Sequence, residues 1–217
     1  RPVTGWTLDS GSVYRADLSP AQFPNGINQL FRSGHRLTLG RWPNLDDPNA
    51  GYAFVDAHSA GSNQITDNEL PAFNWTGAIL HIKNIRWSML DRQVTATNNH
   101  TMTLNEGLSC LVSSWADCVG WGYFINNHRA TLDQDGEWYY DEAARRVYLV
   151  SGSGAPSNIE ASVVLDASAS ARHGGVMLSD GSATAYVTLD NLAVINWFND
   201  GGVAGGRDRS RPWSARR

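Results

Sequence analysis

The chain has 217 residues, 41% of them hydrophobic, and a formal charge of −4. That length and apolar content supply one sizeable core, or one core with a small subdomain, and argue against disorder over most of the chain. The acidic balance argues against a nucleic-acid partner, which calls for a basic face, and no apolar run is long enough to span a bilayer.

Helical periodicity is almost absent, while short apolar runs bounded by Gly, Asn, Asp and Ser recur from end to end, so the expected class is all-β. Strands are expected at 13–16, 29–32, 37–39, 78–82, 101–104, 163–165, 176–178 and 186–189. Around Ser33-Gly34-His35-Arg36, the segment 28–42 reads as a hairpin. Cys110 and Cys118 enclose a short loop, either bridged, as fits an exported protein, or present as two buried thiols. Residues 121–128 read as a strand, and 136–141 with 147–150 as a hairpin. Asp135-Gly136 offers the left-handed backbone that a tight turn needs. Trp138-Tyr139-Tyr140 then alternates rings across the two faces of a ribbon, one for a core and one for a ligand. The Arg-rich end, 207–217, is the only basic cluster and reads as a disordered tail.

Two distant segments share the pattern apolar-x-apolar-x-Asn-apolar-x-apolar: residues 80–87 around Asn84, and 187–194 around Asn191. Asn tolerates the left-handed conformation, so each reads as a short strand that turns at the Asn and starts another. A parallel β-helix makes such a corner on every coil. A β-sandwich is the alternative.

The run from Leu30 through Ser33-Gly34-His35 to Arg41-Trp42-Pro43-Asn44 resembles the opening of right-handed parallel β-helix carbohydrate-active proteins, a strand and hairpin followed by an ARWPN-like stretch. Tyr123-Phe124-Ile125-Asn126-Asn127-His128, Gly136-Glu137-Trp138-Tyr139-Tyr140-Asp141 and Val147-Tyr148-Leu149 are similar to further marks of that group. Glycoside hydrolases and other polysaccharide-degrading proteins belong to it. The resemblance covers about 13–203 and implies amino-terminal hairpins and a first coil over 1–107. A β-rich insertion over 108–150, further coils over 151–204 and a tail over 205–217 follow. Members of the group usually continue for many more coils and carry their catalytic acids there. The chain therefore reads as an amino-terminal portion, whose open coil end favours self-association.

Glycoside hydrolysis needs one carboxylic acid to protonate the leaving oxygen and a second carboxylate as nucleophile or base. Candidate catalytic acids are Asp135, Glu137 and Asp141, which lie among aromatics, and Asp200, which follows Trp197-Phe198; Asp190 has an equally good structural explanation at its corner. Rings stack on the apolar faces of pyranosides, so Trp115, Trp121, Trp138, Tyr139 and Tyr140 are the candidate substrate-binding residues, with His128 beside them. His58 and His128 are also candidate bases for a lyase reaction on a uronate. Asp133-Gln134-Asp135-Gly136-Glu137 faintly resembles a calcium loop but lacks the full spacing and reads as a plain turn. With neither CxxC nor a His/Cys cluster, no metal and no cofactor are expected. The expected partner is a polysaccharide or oligosaccharide, with no nucleic acid and no membrane, and the expected location is secreted or periplasmic.

Overall fold

The structure is a computed structural model that describes residues 1–111 and 115–164, together with the short strands at 176–177, 188–189, 203–204 and 214–215. It is all-β apart from one short 3-10 turn, Arg129–Thr131. In chain order the first strands are β1 (Thr7–Ser10), β2 (Val13–Asp17), β3 (Leu30–Arg32), β4 (His35–Arg36), β5 (Arg41–Trp42), β6 (Ala53–Phe54) and β7 (Gln64–Thr66). There follow β8 (Ile79–Ile85), β9 (Ser88–Asn98), β10 (Thr101–Leu104), β11 (Cys110–Leu111), β12 (Trp115–Ala116) and β13 (Gly122–Asn126). The last are β14 (Trp138–Asp141), β15 (Arg146–Val150), β16 (Ile159–Ala161), β17 (Val176–Met177), β18 (Thr188–Leu189), β19 (Val203–Ala204) and β20 (Ser214–Ala215).

Two antiparallel sheets organise the described residues. The larger runs β5-β13-β8-β9-β10-β7, with β6 also pairing β13; the smaller runs β1-β2-β15-β14, and β16-β3-β4 form a third. Alternation assigns the faces of β8 and β13: Leu80, Ile82, Tyr123 and Ile125 point inward and are fully buried. They join Val55, Ile65, Trp75, Met102 and Leu104 in one core. A second core under the smaller sheet gathers Ala16, Phe23, Leu30, Trp138, Val147 and Leu149. Each large apolar side chain buried this way contributes on the order of 1.5–3 kcal/mol.

Of the hairpin expected over 28–42, a short one forms between Leu30–Arg32 and His35–Arg36. Arg32 faces His35 across Ser33 and Gly34, which both have positive φ, at 51° and 79°. Residues 37–39 do not make a strand of their own. Leu39 instead forms a lone parallel bridge with Trp138, while the Trp138 and Gly40 N–H groups donate to Thr38 O and Trp138 O. Asn84 is not a corner. β8 continues through it to Ile85, the register shifts between Lys83 and Ile85, and the chain reverses at Arg86-Trp87 into antiparallel β9. The pattern that pointed to a coil corner is met here by a shift of register inside a continuous strand. Its partner segment around Asn191 lies outside the described residues apart from Thr188–Leu189, as do most of the coil end and tail. Of the far residues described, β17 pairs β19 in parallel, Val176 with Val203, and β18 pairs β20 in parallel, Thr188 with Ser214. Cys110 and Cys118 are joined by a disulfide. Among the described residues no helix is long and apolar enough to cross a membrane.

Candidate functional site

β14 is the element on which the sequence-derived candidates meet. It pairs with β15 so that Trp138 faces Leu149, Tyr139 faces Tyr148 and Tyr140 faces Val147. Trp138 and Tyr140 thus share one face of the ribbon, while Tyr139 and Asp141 share the other. Trp138 is 3% exposed and belongs to the smaller sheet's core; its indole N–H donates to Leu37 O at 3.4 Å. Tyr140 is half-buried and packs on that core. Tyr139 is half-buried too, stacked on Tyr148 at 5.9 Å with the rings 18° from parallel, and the Arg129 guanidinium lies 4.7 Å from the Tyr148 ring centre.

An open cleft of about 460 Å³ runs along this strand, lined by Trp138, Tyr139, Tyr140, Asp141 and Glu142 with Asn28, Asn127 and Leu39. Gly26 shapes the neighbouring wall: at φ 77° a Cβ there would stand 2.8 Å from Tyr140 Cε1, so only glycine lets the ring sit where it does. Burial pushes the Tyr139 and Tyr140 hydroxyls above the ordinary tyrosine range. Both rings are therefore neutral at physiological pH, and their hydroxyls can donate as well as accept. Asn28 and Asn127 were not singled out by sequence reasoning. They lie far apart in the chain, and no local spacing ties either of them to β14.

Each candidate acid among the described residues has partners of its own. The Asp135 side chain is 58% exposed and lies 3.3 Å from Arg32, and it also accepts the Gly152 N–H at 2.8 Å. Glu137, at 3% exposure, accepts backbone N–H groups from Arg41 at 3.3 Å, Asp133 at 3.1 Å and Gln134 at 3.0 Å. Burial pushes its carboxyl up to about 7 against the pull of those three donors. A raised carboxylic acid is the protonation state a general acid needs, yet this one is turned inward, tying the 133–137 turn to β5. Asp141 lines the cleft and accepts the Ala144 N–H at 2.9 Å, closing the β14–β15 turn. Asp190 and Asp200 lie outside the described residues.

The 133–137 acids also diverge, since Asp133 takes the Asn44 amide at 3.0 Å while Asp135 and Glu137 turn to the partners above. They form a turn and not a cation loop.

The remaining candidates are not among the described residues that line the cleft. Trp121 is half-buried against the larger core. Trp115 pairs with Leu111 in β12, and its side chain lies outside the described residues. His128 caps the 3-10 turn by accepting the Ala130 N–H at 3.1 Å and packs 5.5 Å from Trp75; burial lowers its pKa, which suits a neutral structural ring. His58 Nδ1 accepts the Cys118 N–H at 3.0 Å, and its Nε2 faces Ser62 O at 3.1 Å. It holds the disulfide loop.

A second acidic group lies across the larger sheet: Asp56, Asp67 and Glu69 bring ligand atoms within 4.8 Å of one another. Asp67 is 0% exposed and its two oxygens take the Tyr123 hydroxyl at 2.6 Å and the Glu69 N–H at 2.8 Å. Asp56 takes the backbone and side-chain N–H groups of Asn68, both at 2.7 Å. Local donors account for this cluster.

No family model matches the sequence, and no curated protein matches it. The fold is similar to part of a solved structure described as "Glycoside hydrolase", at 14% identity and a TM-score of 0.48, over 70% of this chain and 28% of that one. The chain therefore spans little more than a quarter of that protein's length. A likeness at that level carries no weight for activity.

Proposed function

We propose that this chain engages a polysaccharide or oligosaccharide in the cleft along β14, as the amino-terminal part of a carbohydrate-active protein. The observation that carries the reading is the convergence on one open cleft of Trp138, Tyr139 and Tyr140 with the amides of Asn28 and Asn127 and the carboxylates of Asp141 and Glu142. Pyranosides present apolar C–H faces and hydroxyl edges together, and rings beside amides and carboxylates match both. Parallel pairing of Val176 with Val203 and of Thr188 with Ser214 supports a β-helix beginning, since both spacings fall within the roughly 20–45 residues of a solenoid repeat. The Cys110–Cys118 bridge supports a secreted or periplasmic location.

Binding is the favoured function. Hydrolysis by paired carboxylates is a second reading, favoured by one observation: Asp141 lines the cleft. It requires a second acid roughly 5–10 Å away, and Glu142 in the cleft and Asp200 on the far segment are the candidates. Asp135 and Glu137 are committed to other partners.

Retention on a panel of immobilised plant and microbial polysaccharides, with reducing ends measured in parallel, tests both. Retention by the unaltered chain and its loss in Tyr139→Ala is the expected result. Any release of reducing ends should vanish in Asp141→Asn while retention persists. Retention that survives changes at both Tyr139 and Tyr140 would overturn the cleft.

A further inference from the structure

Alternation along β8 sends Leu80, Ile82 and Asn84 inward and His81 and Lys83 outward. On that outer face Phe124 of β13, His81 of β8 and Asp91 of β9 stand on one rung. The rung is consolidated sideways: His81 stacks on Phe124 at 4.5 Å, its Nδ1 lies 2.6 Å from Asp91, and the Arg41 guanidinium sits 4.0 Å from the Phe124 ring centre. Tyr52 meets Phe124 edge-on at 6.0 Å, and the Lys83 ammonium stands 5.3 Å from the Tyr52 ring. This is a stiff aromatic face rather than a loose one.

Just beyond it, the Arg86-Trp87 turn of the β8–β9 hairpin leaves Trp87 81% exposed. An indole that open buries almost none of its apolar area within the chain, which is rare for Trp. Lys83, Arg86 and Met89 are also exposed. Among the described residues no ion pair engages Lys83 or Arg86, and Asp91, the acid on the facing strand, is held by His81. A chain of net charge −4 thus carries two cations without an ion pair, Lys83 beside Tyr52 and Arg86 at the turn, on the same hairpin as a bare indole.

We infer that the β8–β9 hairpin tip is a second glycan contact, separate from the cleft, that takes a polysaccharide bearing carboxylate or sulfate groups. A pyranose would stack on Trp87, with its acidic group reached by Lys83 and Arg86. Charge complementarity selects this occupant, because unpaired cations on the same hairpin as an exposed aromatic favour an acidic glycan over a neutral one. The inference rests on the carbohydrate reading for the polymer and on the hairpin alone for the place.

Affinity electrophoresis through gels containing a polyuronate, a sulfated glycan or a neutral glucan tests it, beside flotation with phosphatidylglycerol vesicles. Stronger retardation by an acidic polymer than by the neutral one is expected, with the two acidic gels showing which anion is preferred. Trp87→Ala should weaken acidic binding about tenfold, and Lys83→Gln with Arg86→Gln should flatten its salt dependence. All these positions are exposed, so unchanged melting temperatures should accompany the losses. Unaltered acidic binding in Trp87→Ala, or vesicle binding without glycan binding, overturns the hairpin site. If neutral glycans still bind through Tyr139 while acidic ones gain nothing, only this inference fails; if no glycan binds at all, the cleft reading falls as well.

Discussion

Beneath the larger sheet the aromatics are spent on closure: Trp75 and Tyr123 are fully buried, the Tyr123 hydroxyl is committed to Asp67, and Phe124 outside is covered by His81, Arg41 and Tyr52. Along the smaller sheet the same residue types face two ways, Trp138 and Tyr140 toward a core and Tyr139 to the other face, and all three border an open cleft. The contrast shows that ring density alone says little about binding. What separates the two regions is whether neighbouring side chains cover the outer ring, and β14 stands at the edge of its sheet, bridged there by Leu39 at Trp138.

The largest effect should fall on the closed region. Trp75→Ala would empty the centre of the larger core and is expected to destabilise the fold by about 3–5 kcal/mol, read as a drop in denaturant midpoint. Replacing both Cys110 and Cys118 by Ser should cost about 2–3 kcal/mol, the chain entropy released when a loop of this length is opened, and chemical reduction of the unaltered chain should match it.

In the open region Tyr139→Ala should leave the melting temperature within a few degrees of the original yet weaken glycan binding about tenfold. An equal loss of stability would place Tyr139 with the closed set. At Glu137 the folded carboxyl is raised to about 7 from 4.5, so between those values the folded state holds a proton that the unfolded chain has released. Its contribution to stability is therefore fully present below about pH 4.5 and lost as pH rises to about 7. Unfolding midpoints across that window should show a decline that Glu137→Gln flattens. The smallest change belongs to Asp135→Asn, an exposed partner of Arg32, at under about 1 kcal/mol.

How much of this is legible in the sequence depends on how local the cause is. The short hairpin of Leu30–Arg32 and His35–Arg36 follows from Ser33-Gly34, and the two faces of β14 follow from alternation, so residues adjacent in the chain are enough to specify both. Asn84 shows the limit, because the pattern expected at a coil corner sits here in a strand that shifts register and continues. The acids show another. Asp135, Glu137 and Asp141 sit close in sequence but are drawn to Arg32 and Gly152, to three backbone N–H groups, and to Ala144. Arg32, Gly152 and Arg41 come from other segments, as do the neighbours that make Asn28 and Asn127 line the cleft, and no spacing near these residues announces them.

Amide chemical shifts of the labelled protein, followed while neutral and acidic oligosaccharides are titrated in, test the central claim most directly. Binding in the cleft predicts saturable shifts at Asn28, Asn127 and Tyr139 through Glu142, with Trp75 and Tyr123 unmoved. Shifts of the neutral titration gathered elsewhere, or none with any saccharide, would contradict it.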